Sequence, residues 1–167
     1  MVKNTVKGGA RSERGAAALE FALVLPILLL VVAGAVEYGR AFWYYDSLSK
    51  ATRDAARYLT MVACYSGEEE SVCNVRLMNV ATTAKGRVAT AAAEAGMSDF
   101  DAANVEVRCD GAPCSSATAV LGSTHVTVAI VDYGIRLGEW LPLGYLGEAV
   151  GYNLGIQPHT TMRYMGG

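Results

Sequence analysis

The chain has 167 residues, 52% of them hydrophobic and only 18% charged, where a soluble domain carries about 25% charged residues. The net charge of −2 is unevenly spread: Lys3, Lys7, Arg11 and Arg14 face only Glu13 in residues 1–15, which leaves the remainder at −5. With the excess positive charge confined to that leader, a basic nucleic-acid-binding surface is not suggested, and positive charge just ahead of an apolar run predicts that this end stays cytoplasmic.

From Ala16 to Val36 the sequence reads AAALEFALVLPILLLVVAGAV. About 20 apolar residues suffice for one crossing of the bilayer as a helix. The run is longer than the roughly 7–15 apolar residues of a secretory signal, although Ala33-Gly34-Ala35 is a partial cleavage candidate. A carboxylate, Glu20, sits inside it. An ionised carboxylate deep in hydrocarbon costs about 2.5–3.5 kcal/mol on insertion scales, so a function is its default explanation. Pro26 removes a backbone hydrogen bond and is expected to weaken or kink the helix, which membrane helices tolerate.

The stretch Arg14-Gly15-Ala16-Ala17-Ala18-Leu19-Glu20-Phe21 resembles the class III signal of type IV prepilins. The resemblance implies that prepilin peptidase cuts between Gly15 and Ala16, on the cytoplasmic side, making Glu20 the fifth mature residue. The Glu20-Phe21 pair is similar to the version found in the tight-adherence (Flp/Tad) system. The continuation VLPILLLVVAGAVEYGRAFWYYDSLSKATRDAARYLT closely resembles the TadE-like pseudopilin family, and Thr161-Met162-Arg163 looks like that family's closing strand. Physically, cleavage would leave a new ammonium at Ala16, and Glu20, about one helical turn on, is placed to neutralise it within one chain or between neighbours.

Beyond the apolar run, Ala41, Tyr45, Leu48, Thr52, Ala55, Leu59 and Val62 recur at alternating spacings of four and three, the mark of a helix with one sticky face. One helix from Ala16 to Val62 is therefore expected, packing mainly on the chain's own outer domain. Glu37, Tyr38, Arg40, Trp43, Tyr44 and Tyr45 read as an aromatic belt where the helix leaves the bilayer.

Ser66-Gly67-Glu68-Glu69 resembles a capping box, opening a second helix over 69–95 with Gly96 as its stop. Val105, Val107 and Cys109 then alternate with polar residues as a strand. Asp110-Gly111-Ala112-Pro113 is a turn signal. Residues 124–133 (THVTVAIVDY) form the clearest strand, and 155–165 a weaker last one that Pro158 assigns to an edge. The glycine-rich segment 134–154 reads as turns. Cys64, Cys73, Cys109 and Cys114 fall in two local pairs; outside the cytoplasm disulfides are favoured, one fastening the helix pair at Cys64 and Cys73, the other stapling the turn at Cys109 and Cys114. The spacings are not those of a zinc site.

The expected fold class is α+β, pilin-like: a long N-terminal membrane-spanning helix, a second helix and a small antiparallel sheet. The expected organisation is a basic leader over 1–15, a transmembrane helix over 16–37, its extramembrane continuation over 38–63 and a small extracytoplasmic domain over 64–167. No P-loop, HExxH, GxSxG or GxGxxG occurs, so neither an enzyme nor a cofactor is expected. The resemblance implies a minor subunit needed for assembly of a tight-adherence pilus used in surface adhesion, held in the inner (cytoplasmic) membrane with its domain periplasmic or extracellular. Its implied partners are prepilin peptidase, other pilin or pseudopilin subunits, the inner-membrane assembly platform and the lipid bilayer. The alternatives are an uncleaved, signal-anchored ligand-binding protein and a secreted domain cut near Ala35.

Overall fold

A computed structural model describes residues 10–61, 69–114, 125–138 and 151–163. Helix α1 runs from Ala10 to Thr60, α2 from Glu70 to Glu94. Strands follow: β1 (Val105–Cys109), β2 (Ala112–Pro113), β3 (His125–Ile130), β4 (Gly134–Leu137), β5 (Tyr152–Gly155) and β6 (His159–Arg163). The fold is α+β, as the sequence led one to expect: long apolar helix, second helix, small antiparallel sheets.

α1 begins six residues earlier than expected, so Gly15 and Ala16 lie inside it. Alanine, arginine and glutamate in this stretch are good helix formers, and one glycine costs only about 1 kcal/mol. The helix continues through Pro26. Its far end is Thr60; Val62 lies outside the described residues. The buried stripe comprises Ala41, Leu48, Ala51, Thr52, Ala55, Ala56 and Leu59. That is wider than a narrow heptad seam and follows the 3.6-residue period of a helix on a globular core. Tyr45 is not part of it: it is 48% exposed, whereas Tyr44, one position back, packs against the core.

α2 lies against α1, and the sheet against both. Val80, Ala84, Val88 and Ala92 form its inner face. Small residues at spacing four let two helices approach closely, and the Arg87 guanidinium stacks 4.1 Å above the Tyr58 ring at the seam. The helix does not open on the expected capping box. Its N-cap is Glu69, without a side-chain cap bond, and Ser66 lies outside the described residues. The C-terminus is a Schellman motif: Gly96, at φ +96°, donates to the Ala93 carbonyl, and Met97 donates to that of Ala92. Glycine meets the positive φ there without strain.

The main sheet has the antiparallel order β2-β1-β3-β6. β1 and β2 form a two-residue hairpin in which Asp110 and Gly111 both have positive φ, the condition for a type I′ turn. Cys109 and Cys114 are bridged across it, with Cα atoms 5.2 Å apart. Cys64 and the Cys73 side chain lie outside the described residues.

The glycine-rich region departs most from expectation. Gly134–Leu137 and Tyr152–Gly155 pair as a second antiparallel ladder, rather than forming turns only. β3-β4 and β5-β6 are thus two arms of one long ribbon, broken at 131–133 and 156–158. Ile130 donates to the Pro158 carbonyl, and Ile156 to that of Tyr133, so pairing resumes across the break. Asp132, at φ +51°, marks the bend. Asn104 holds it: its Oδ1 accepts from the Asp101 amide while its Nδ2 donates to the Val131 and Asp132 carbonyls. The bend carries β4 out of the main sheet toward the outer end of the apolar helix segment.

Candidate functional site

Two regions bear on function: the motif on the apolar part of α1, and the collar where the domain first touches that helix.

Gly15, Ala16, Glu20 and Phe21 lie on one exposed helical run. Residues 15–32 are exposed throughout, and an 18-residue window of this helix has mean hydropathy 2.6 with none of it buried. At 1.5 Å per residue, 18 residues span about 27 Å, close to the roughly 30 Å hydrocarbon thickness of a bilayer. So much exposed leucine, valine and isoleucine has no stable resting place in water; the helix fits a single-pass membrane anchor. Glu20 has no ion-pair partner among the described residues. A Cβ built on Gly15 would meet nothing within 4 Å, so the glycine is not demanded by packing.

The domain closes on α1 at Glu37, which is only 6% exposed. Arg40, one turn further, donates to the Glu37 carboxylate at 2.9 Å and to the Arg136 carbonyl on β4 at 3.2 Å. The cluster that reads as an aromatic belt therefore has two sides. Tyr38, Phe42, Trp43 and Tyr45 are exposed, with Tyr38 and Phe42 edge-to-face at 4.8 Å. Glu37, Arg40 and Tyr44 turn inward to the domain. The spacing of Glu37 and Arg40 was a legible pairing signal; its burial was not, because it depends on β4.

Above this collar a half-open cleft of about 350 Å³ is lined by Arg40, Tyr44, Asp99, Tyr133 and Arg136 together with the Gly96–Ser98 turn. The Tyr133 hydroxyl donates to Asp99 Oδ1 at 3.1 Å, and its ring stands edge-on to Phe100 at 4.9 Å. Burial, then the bond to the Asp99 carboxylate, pushes the Tyr133 hydroxyl pKa well above the ordinary tyrosine value.

A family model described as TadE-like protein matches residues 15–57, about a quarter of the chain. No curated protein and no solved structure matches. The matched span begins at the motif glycine and ends within the buried stripe of α1, so it covers the segment on which the motif resemblance rested. Over residues 15–57 the chain is therefore similar to the TadE-like family, a structural family associated with the Tad pilus.

Proposed function

We propose that the protein is a minor pilin-like subunit required for assembly of a tight-adherence pilus, matured by prepilin peptidase between Gly15 and Ala16. The observation that carries this reading is the coincidence of three features in one segment. It matches the TadE-like model, it exposes the run 15–32, apolar but for Glu20, on every side, and Glu20, five residues after Gly15, has no ion-pair partner among the described residues. In lipid a lone carboxylate seeks a cation, and the ammonium created at Ala16 of a neighbouring chain is of the right charge and at the right depth. Residues 1–15 are the leader, 16–37 the membrane span and the rest faces outward. Phe21 continues the apolar surface beside Glu20, and Pro26 marks the turn of the span with one fewer backbone hydrogen bond. The partners are the peptidase, other pilin-like subunits and the assembly platform in the inner membrane.

Intact mass of membrane-extracted protein tests the reading. In cells holding the peptidase the chain should begin at Ala16, and at Met1 when the peptidase is deleted. A chain that keeps its leader in both backgrounds would overturn processing. Glu20→Ala should still be cut yet yield few pili; normal pilus output would overturn the pairing role.

A further inference from the structure

We infer that the cleft above the collar binds the headgroup of a phospholipid in the leaflet on the domain's side, of the phosphoethanolamine type: phosphate on Arg40 and Arg136, ammonium at Asp99. The inference rests on the membrane-anchor reading, which gives the cleft its height. The apolar run ends at Val36, and Arg40 stands four residues on, about 6 Å along the helix. The polar layer on each side of a bilayer is about 5–7 Å deep, so Arg40 lies at the level of lipid phosphates.

The order of charges in the cleft follows from the bent ribbon. Thr160, the register partner of Val128, lies beside Thr52 of α1, while Arg136 lies beside Arg40. Between these points the ribbon descends α1 by twelve residues, about 18 Å toward the membrane. Tyr133 and the Asp99 it contacts are therefore further from the bilayer than Arg136. Positive charge faces the membrane end of the cleft and negative charge its outer end. A phosphoethanolamine headgroup has the complementary arrangement, phosphate nearer the acyl chains and ammonium beyond it.

The donors and acceptors match in number as well. Arg40 spends one guanidinium nitrogen on Glu37 and the Arg136 carbonyl; a guanidinium carries five N–H donors, so others remain for phosphate. Asp99 accepts one bond from Tyr133, and a carboxylate offers about four lone-pair positions. The buried Glu37 fixes Arg40 in place, so little side-chain freedom is lost on binding.

The full-length protein, extracted in mild detergent, is examined by native mass spectrometry with added phosphatidylethanolamine, phosphatidylglycerol or diacylglycerol. Phosphatidylethanolamine should be retained, phosphatidylglycerol less and diacylglycerol not at all. Arg136→Gln leaves the backbone carbonyl in place and should weaken retention about tenfold, the loss expected for one charge-assisted hydrogen bond. Asp99→Asn should erase the preference for phosphatidylethanolamine over phosphatidylglycerol. Since Arg40→Gln removes a charged partner of the buried Glu37, the paired variant Glu37→Gln/Arg40→Gln is used beside it, with circular dichroism as the folding control. Equal retention in the wild type, Arg136→Gln and the paired variant overturns the site. Displacement of lipid by millimolar inorganic phosphate as readily as by glycerophosphoethanolamine overturns the lipid assignment in favour of free phosphate. Alkaline carbonate extraction separates the two readings: protein that stays with membranes yet retains no lipid refutes the headgroup site only, whereas wild-type protein released as soluble refutes the anchor and the headgroup site with it.

Discussion

The hydroxyls of Thr52 on α1 and Thr160 on β6 lie 3.2 Å apart, joining residues 108 positions distant at a point where Thr52 is fully buried. Thr52 Oγ1 also donates to the Ser49 carbonyl at 3.1 Å. A hydroxyl has one proton to give, so Thr160 is the donor of the pair. Thr52→Val should destabilise the domain by about 1–3 kcal/mol, because it strands a partner. The double variant with Thr160→Val should cost less than the two single changes added together, by about 1 kcal/mol. Urea unfolding of the full-length protein, followed by far-ultraviolet circular dichroism, measures all three; strict additivity would mean that the bond contributes nothing.

Asn104 is the latch of the ribbon bend, bonded to the Asp101 amide and to two carbonyls of the bend. Asn104→Ala should lower stability by about 1–3 kcal/mol and speed hydrogen exchange at the Val131 and Ile156 amides ahead of those within β1 and β3. Exchange unchanged at Ile156 would show that the bend holds without the latch.

Tyr133 supplies a pH dependence with a definite sign. Its folded-state pKa is raised, first by burial and then by Asp99, so the folded protein keeps a proton that the unfolded chain releases near pH 10. The contribution is fully present below that pH and is lost as pH rises through the folded value. The wild type should therefore lose stability above about pH 10 more steeply than Tyr133→Phe. Parallel alkaline curves for the two proteins would contradict the burial of that hydroxyl.

Bridging of Cys109 and Cys114 over the tight turn should contribute about 2 kcal/mol, the value for so short a loop in the chain-entropy view. Replacing both by serine should lower the urea midpoint accordingly, without changing the Asp110-Gly111 turn, whose positive φ values those residues adopt on their own account. A midpoint unmoved by the double replacement would mean that the turn is sufficient.

The parts of the fold legible in the sequence are those set by local chemistry. The apolar run, the Asp110-Gly111 turn, the Gly96 stop and the alternation in β1 each depend on neighbours within a few positions. Tyr44 and Tyr45 stand three and four residues after Ala41, so either spacing suits the same helical face, and which of the two packs inward depends on what the domain brings against the helix at that height. β4 and β5 are not legible in the sequence because Gly134, Gly151 and Gly155 mask any alternation and leave little strand propensity to read. Their pairing comes instead from the ribbon continuing past Asp132. The segment that matches the TadE-like model is fully visible in the sequence, being contiguous. The collar and cleft were not: Arg40, Asp99 and Arg136 are brought together by a bend that no local pattern announces.

The outer edge of the main sheet has a further consequence. β2 is two residues long, ends in Pro113, which has no amide hydrogen to offer, and is tethered to β1 by the Cys109–Cys114 bridge. Such an edge is a poor template for strand addition. Two copies of the chain brought side by side are thereby steered away from edge-to-edge aggregation at this side of the sheet.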